Sequence, residues 1–146
     1  PSWVNYQIAR YTLVDDEEII KEIAEHGVNG FVYNIDTLRT AKGVAVLSFV
    51  KGKSGTYDKE YITSKGNSWE VFDAGIACQT FCLAAHAKGV GTCIMGVIDD
   101  KSIAKIVNLP EDETVAALIV YGYEDGEHAA PNKRKDVDEI MRFVDR

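Results

Sequence analysis

The chain has 146 residues, with 16 lysines and arginines against 23 aspartates and glutamates, and a net charge of −7. This length fits one domain, residues 1–146, and 46% hydrophobic residues can form a sizeable core. The acidity argues against a nucleic-acid surface, which needs clustered cations, and no apolar run is long enough to span a membrane. Three cysteines give no even disulfide framework, so we expect reduced thiols in a cytoplasmic protein.

The N-terminal third predicts a strand followed by a helix. Residues 6–14 are rich in β-branched and aromatic side chains, which favours a strand. The helix that follows can be capped by Asp15 or Asp16 and ended by Gly27. Residues 28–42 show no clear periodicity, and we interpret them as a connection.

The middle of the chain predicts a buried strand, a loop and a long helix. Residues 43–50 form a short apolar run typical of a strand buried on both faces. The polar residues 51–68 predict a long surface loop, of the kind that forms lids or contacts partners. Residues 69–89 predict a helix that is apolar on every face in its middle. Because such a helix must be covered all round, we infer that a partner subunit covers one side.

The C-terminal part continues the alternation of strands and helices. Residues 90–95 predict a strand, residues 100–107 a helix and residues 114–123 another strand. A last helix is expected after residue 135, with a single apolar face formed by Val137, Ile140, Met141 and Val144. The pattern indicates an α+β domain built on one mixed sheet.

Three polar side chains share one face of the long helix, because Cys78, Cys82 and His86 follow each other at intervals of four residues. A metal site would need further ligands at suitable spacing, and none is nearby. Cysteine also packs well as a small hydrophobe. Core packing is therefore the preferred interpretation, and we expect no metal.

Two further patterns have both a plain and a functional interpretation. The glycines of residues 89–96 follow a helix, the wrong order for a dinucleotide-binding fingerprint, so they indicate either a tight turn or backbone that approaches a flat ligand. The cations of residues 132–135 are either a solvated loop or a phosphate site. Arg134 next to the start of the last helix favours the phosphate site, since helix N-termini also attract anions.

Four stretches in this order resemble the FMN-dependent nitroreductases: "PSWVNYQ" at 1–7, "DAGIACQTFCLAAHAKGVGTCIMG" at 73–96, "LPEDETVAALIVYGY" at 109–123 and "NKRKDVDEI" at 132–140. The resemblance implies a three-layer α-β-α fold of the α+β class. Its central sheet would be mixed and mainly antiparallel, and the protein would be an intertwined homodimer with FMN bound between the subunits.

The resemblance also implies a set of cofactor-binding residues. The flavin would be contacted from the opposite subunit by the first segment, through Pro1, Ser2, Trp3, Asn5 and Gln7. The backbone around Ile94, Met95 and Gly96 would face the reactive N5 and O4 of the flavin, and the phosphate would be bound by Lys133, Arg134 and Lys135. No side chain is expected to act as a catalytic acid or base.

The implied reaction takes hydride from NADH or NADPH onto FMN and then reduces a nitroaromatic, a quinone or a related small acceptor by a ping-pong mechanism. The N-terminal basic element of the family does not occur before Pro1, so we expect part of the domain to lie upstream. The alternative is a catalytically impaired flavin-binding or non-catalytic dimeric module. A specialised relative, such as a reductive dehalogenase or a flavin-consuming enzyme, is a third hypothesis.

Overall fold

The fold is built on a four-stranded sheet, described here from a computed structural model that covers residues 1–126 and 130–144. Its strands are Ala9–Val14 (β1), Gly43–Val50 (β2), Gly91–Met95 (β5) and Glu113–Gly122 (β6). They lie in the order β1-β2-β6-β5, and each of the three neighbouring pairs is antiparallel. A separate two-stranded hairpin is formed by Thr56–Tyr57 (β3) and Glu60–Tyr61 (β4).

Helices cover both faces of this sheet. They are Glu17–His26 (α1), Val32–Thr40 (α2), Ser68–His86 (α3) and Asp100–Ile106 (α4), and a further, exposed helix is Val137–Ile140 (α5). α1, α2 and α4 pack on one face, and α3 packs on the other. This is the three-layer α+β arrangement that the resemblance implied. Among the described residues, no helix combines the length and apolarity needed to cross a bilayer.

β2 is buried on both faces, as its continuous apolar run predicted. Val44 and Val46 belong to the core under α1, α2 and α4, whereas Ala45 and Leu47 belong to the core under α3. Successive side chains of a strand point to opposite faces, so a strand between two helical layers is apolar at most positions. The buried hydroxyl of Ser48 in β2 donates to Glu113 Oε2 at 2.6 Å. The boundaries predicted for this strand are confirmed.

α1 also matches its prediction, and its ends show why. The side chain of Asp16 accepts hydrogen bonds from the N–H groups of Glu18 and Ile19, at 3.0 and 3.1 Å. Gly27 follows the last helical residue, and its N–H donates to the carbonyl of Ile23 at 2.7 Å. These local contacts are the cap and the stop that the sequence indicated.

The interpretation of residues 28–42 as a connection was wrong, because they contain α2. The residue before this helix is Phe31, whose side chain supplies no cap. The helix is instead held by tertiary packing, through the buried side chains of Leu38 and Asn34. Packing of this kind overrides weak local preference and has no local sequence signal.

The predicted C-terminal helix is much shorter than expected. α5 is a single turn that ends at Ile140, and Met141 is already extended. All described residues from 130 to 144 are exposed. A short helix without packing cannot offset the cost of helix nucleation, so the amphipathic pattern alone did not extend it.

α3 leaves a large apolar surface uncovered in the single chain. Of its apolar side chains only Ala74 and Cys78 are buried, whereas Val71, Phe72 and Leu83 are more than half exposed. On the same side of the sheet, Leu13 and Ile94 are also exposed, at 62% and 51%. We call Val71, Phe72, Leu83, Leu13 and Ile94 the α3 surface. Exposed apolar side chains that lie close together mark interaction sites.

The central position of β6 gives a test of the core. Ile119 is fully buried on the α3 side, so replacing it by alanine should lower the free energy of unfolding by about 2–5 kcal/mol through lost burial and the cavity left behind. Urea denaturation measures this change. The matched variant Ile62→Ala removes a side chain that is 59% exposed and should change stability by less than about 0.5 kcal/mol. Equal effects of the two variants would contradict the assigned core.

Candidate functional site

The N-terminal segment Pro1–Gln7 is fastened to the body of the domain through Trp3. The backbone N–H of Trp3 donates to the Oδ2 atom of Asp73 at 2.9 Å. Its indole N–H donates to the carbonyl of Thr56 at 3.0 Å, and its ring centroid lies 5.0 Å from that of Trp69. Trp3 therefore points inward and acts as the anchor of the segment.

The rest of the segment has an unusual backbone. Val4, Asn5 and Gln7 have φ angles of 44°, 58° and 51°, in the left-handed region that β-branched side chains such as valine strongly disfavour. Such conformations cost on the order of 1–3 kcal/mol each and persist only where surrounding contacts impose them. Within the segment, Ser2 Oγ accepts from the Gln7 N–H at 2.8 Å, and Gln7 Nε2 donates to Asn5 Oδ1 at 3.1 Å.

This backbone shape forms one wall of a small cavity of about 180 Å³. It is lined by Pro1, Ser2, Asn5, Gln7, Ile8, Ala9, Asp73 and Ala77. Four of the five residues predicted from the segment thus share one cavity, and the fifth, Trp3, holds the segment in place. Polar side chains on a fixed backbone are suited to bind the polar edge of a ligand.

Two buried carboxylates of α3 accept hydrogen bonds from the loop that precedes this helix and from the N-terminal segment. Glu70 Oε1 accepts from the N–H groups of Gly52 and Lys53, at 2.6 and 3.3 Å. Asp73 Oδ2 accepts from Ser54 Oγ at 2.5 Å as well as from the Trp3 N–H. Both acids are less than 5% exposed, and each has hydrogen-bonded partners, as buried charges require.

The sequence interpretation missed these carboxylates and treated residues 51–68 as surface loop. That was wrong for Ser54 and Thr56, which are buried, and the stretch also contains the β3-β4 hairpin. The available signal was the pair of acids one helical turn apart, Glu70 and Asp73, at the start of an otherwise apolar helix.

The second predicted region lies at the end of β5. As the last strand of the sheet order, β5 pairs only with β6 among the described residues, so its outward backbone groups face no strand there. The side chain of Met95 is buried, and Gly96 is exposed, with no atom within 4 Å of the position where a Cβ would be. Open backbone at a glycine allows a flat ligand to approach closely.

The loop after Gly96 is held in place by α2. Asn34 Nδ2 donates to the carbonyl of Val97 at 3.0 Å, and the side chain of Asn34 is buried. Ile94 points to the α3 side and lines a second, apolar cavity of about 270 Å³ with residues of α3, including Ala74 and Cys78. α3 therefore lies between the Ile94 cavity and the cavity of the N-terminal segment.

The third predicted group of flavin-binding residues, 133–135, lies outside the two cavities in the single chain. Lys133, Arg134 and Lys135 are exposed and line neither cavity. In the part of the chain that the structure describes, none of them has a hydrogen bond or an ion pair. Their positive charges are thus available to an anion.

Cys78 and Cys82 behave as packing residues. Burial, together with the neighbouring Cys82, raises the pKa of the Cys78 thiol to about 11. The thiol therefore stays protonated at neutral pH, which disfavours both nucleophilic attack and metal binding. No cluster of three potential ligands for a metal occurs within residues 1–126 and 130–144.

Comparison with known proteins identifies the family to which the chain belongs. The model of the Nitroreductase family matches residues 1–123. The fold resembles a nitroreductase family protein from Clostridium novyi NT, with a TM-score of 0.71, 22% identity, and coverage of 86% of this chain and 66% of that one. A search of curated protein sequences gives no match.

Two other solved structures cover this chain almost completely. An FMN-dependent nitroreductase from Clostridium difficile R20291 has a TM-score of 0.74, 25% identity, and coverage of 98% of this chain and 79% of that one. A protein from Staphylococcus epidermidis ATCC 12228, provisionally named an NAD(P)H:FMN oxidoreductase, has a TM-score of 0.79, 19% identity, and coverage of 99% and 79%.

These matches define an α+β fold. The chain belongs to the nitroreductase family, as the sequence resemblance predicted. It spans between about two thirds and four fifths of the length of the three solved structures.

The raised pKa of Cys78 gives a test of whether this thiol is buried and protonated. Only the thiolate reacts with iodoacetamide, and at pH 8 a thiol with a pKa of about 11 is ionised to about one part in a thousand. Cys78 should therefore be alkylated far more slowly than the exposed Cys93, as followed by mass spectrometry of peptides. Equal rates at the two cysteines would show that Cys78 is neither buried nor protonated as described.

Proposed function

We propose that the chain works as a homodimeric, FMN-dependent oxidoreductase that takes hydride from NADH or NADPH and reduces a nitroaromatic, a quinone or a related acceptor by a ping-pong mechanism. The observation that carries this proposal is the match to the Nitroreductase family over residues 1–123, which contain both the N-terminal cavity and the Met95–Gly96 turn. The names of two structural neighbours, one FMN-dependent and one NAD(P)H:FMN, support the cofactor and the donor.

The described residues fit FMN chemically. Asn5 and Gln7 offer amide donors and acceptors for the polar edge of an isoalloxazine ring, and the open backbone at Gly96 would let the ring approach. The exposed Arg134 can bind a phosphate with two parallel hydrogen bonds. When bound, FMN supplies the hydride and electron chemistry, and the chain supplies binding and orientation.

Backbone donors take the place of a catalytic side chain in this proposal. N–H groups around Met95 and Gly96 would stabilise negative charge that develops on the flavin. Asn34 fixes this turn through Val97, and Asp99 fixes its far end, since its own N–H donates to the Gly27 carbonyl at 2.8 Å. A preset turn loses little energy to reorganisation during the reaction.

A second copy of the chain would complete the site. The α3 surface is apolar and exposed, and the stretch 130–144 exposes Ile140 and Phe143 while burying nothing in its own chain. The three groups of predicted flavin residues lie apart within one chain. An intertwined dimer would cover the apolar surfaces and bring Arg134 or its neighbours to the other groups.

We further propose a cytoplasmic location. Cys78, Cys82 and Cys93 are all free, and free thiols are typical of reducing compartments. The partners expected are a second copy of the chain, a nicotinamide donor and a small acceptor, with no role for nucleic acid or a membrane.

FMN titration tests the cofactor role of Arg134. Replacing it by alanine should weaken FMN binding by at least ~1.5 kcal/mol, or about tenfold, because a charged hydrogen bond to the phosphate is lost. Quenching of FMN fluorescence measures the dissociation constant. Lys105→Ala removes the same charge from the exposed side of α4 and should leave FMN binding unchanged. Unchanged affinity of Arg134→Ala would exclude the assigned role.

Turnover separates the enzyme from the alternative module. NADH or NADPH oxidation is followed at a fixed quinone concentration with FMN added in excess. Oxidation that depends on both FMN and the quinone supports the enzyme. FMN binding without oxidation would leave the catalytically impaired flavin-binding module, and no FMN binding at all would leave a non-catalytic one.

The dimer is tested at Leu83. The substitution Leu83→Glu places a charge in the α3 surface, where the side chain is 59% exposed in the single chain. If a second copy covers this surface, burying the charge is costly, and the variant should sediment as a monomer with weakened FMN binding. Val32→Glu makes the same kind of change at 61% exposure on α2, across the sheet, and should stay dimeric. A wild-type monomer would contradict the dimer directly.

A further inference from the structure

The buried carboxylate of Asp73 stands out because one of its oxygens joins three parts of the fold. We propose that Asp73 is a positioning residue that holds the segment Pro1–Gln7 in its binding conformation before any ligand arrives. This inference rests on the proposed FMN function, since the segment is the part of the site that would contact the flavin. Asp73 itself would act through the segment and takes no part in the chemistry.

The segment depends on very few contacts with the body. Within residues 1–126 and 130–144, its two hydrogen bonds to other elements both come from Trp3, one to Asp73 and one to the Thr56 carbonyl. The other hydrogen bonds of the segment run within the N-terminal ten residues, as between Ser2 and Gln7. A backbone with Val4 in the left-handed region would relax if its anchor were lost.

Asp73 is suited to this task by burial and by its shared acceptor. Its side chain is 3% exposed, and Oδ2 accepts from both the Trp3 N–H and the Ser54 hydroxyl. Ser54 is fully buried, and Thr56, which accepts from the Trp3 indole, lies two residues further on. One oxygen therefore ties the segment and the 51–56 loop to α3, and charge-assisted hydrogen bonds are the stronger kind.

Asp73 also lies on the wall of the cavity that the segment forms. Removing the Asp73 carboxylate would leave the Trp3 N–H and the Ser54 hydroxyl without their acceptor. The change would fall at a wall of the cavity that Asn5 and Gln7 also line. A ligand would then have to order the segment as it binds, and the apparent affinity falls by the fraction of chains that are ordered beforehand.

Glu70 provides a matched control within the same helix. It is one turn earlier, 4% exposed, and its carboxylate also accepts two hydrogen bonds from the loop, from Gly52 and Lys53. Neither bond reaches the N-terminal segment. Loss of Glu70 should therefore destabilise the fold as loss of Asp73 does, without releasing the segment.

The chain contains its own reporter of the anchor. Its two tryptophans, Trp3 and Trp69, lie side by side in this region, so a Trp69→Phe background leaves Trp3 as the single emitter. The experiment compares Asp73→Ala, Asp73→Asn and Glu70→Ala in this background. Tryptophan emission, the melting temperature and the FMN dissociation constant are measured for each variant of the 146-residue chain.

We expect Asp73→Ala to shift Trp3 emission to the red and to raise the FMN dissociation constant about tenfold or more. Asp73→Asn keeps a neutral oxygen that can accept the same bonds, so it should restore most of both properties. Glu70→Ala should lower the melting temperature with emission and FMN affinity unchanged.

Three results would overturn the proposal. The first is wild-type emission and FMN affinity in Asp73→Ala. The second is an equal loss of FMN affinity in Glu70→Ala, which would indicate general destabilisation. The third is an Asp73→Asn variant as impaired as Asp73→Ala, which would contradict the shared-acceptor role.

One further measurement, hydrogen exchange of the Trp3 amide, keeps the outcomes separate. If Asp73→Ala does not fold, hydrogen exchange of the Trp3 amide in the wild-type protein decides, because a protected amide supports the bond to Asp73 and an unprotected one overturns it. If the wild-type protein does not bind FMN, the proposed function fails by itself. The anchor is then judged from emission and amide exchange alone.

Discussion

Burial of the central strands on both faces is the constraint on which this structure depends. β2 and β6 lie in the middle of the sheet, and their side chains alternate between two cores. Each face therefore needs a helical layer, since exposed apolar strand surface is unfavourable. One face receives three helices and the other only α3. The exposed side of α3 carries apolar side chains, among them Phe72 and Leu83. The proposed dimer would cover this side.

The sequence predicted those elements whose signals are local. α1 could be read from Asp16 and Gly27, which cap and end it, and β2 from a short apolar run. α2 has neither signal, because its stability comes from packing of Leu38 and Asn34 against distant parts of the chain. The C-terminal stretch shows the opposite case, with a helical pattern that finds no surface to pack on in its own chain. An amphipathic pattern indicates which face would be buried, and it does not guarantee that burial occurs.

The candidate site was predictable only by resemblance. Nothing in the composition of residues 1–7 indicates a binding segment, and the cations of 132–135 favoured a phosphate site only through their position at the start of the last helix. The contacts that shape the segment join residues far apart in sequence, as with Trp3 and Asp73, which are 70 positions apart. Patterns of spacing describe single helices and strands, so they cannot show that a loop, a helix and a terminus meet at one carboxylate oxygen. The two acids Glu70 and Asp73, at the start of an otherwise apolar helix, were the local sign that hydrogen-bond donors had to reach their carboxylates.

The edge position of β5 affects how separate copies of the chain can interact. A sheet edge with open backbone groups is a template on which other strands can add. A newly synthesised copy carries this edge together with the exposed apolar side of α3. Monomers at high concentration are therefore prone to aggregate. Stability that comes from binding depends on the concentrations of the binding partners. If FMN and a second copy bind as proposed, the yield of intact protein in a cell depends on the supply of flavin and on the rate at which copies meet, as well as on the core of each copy.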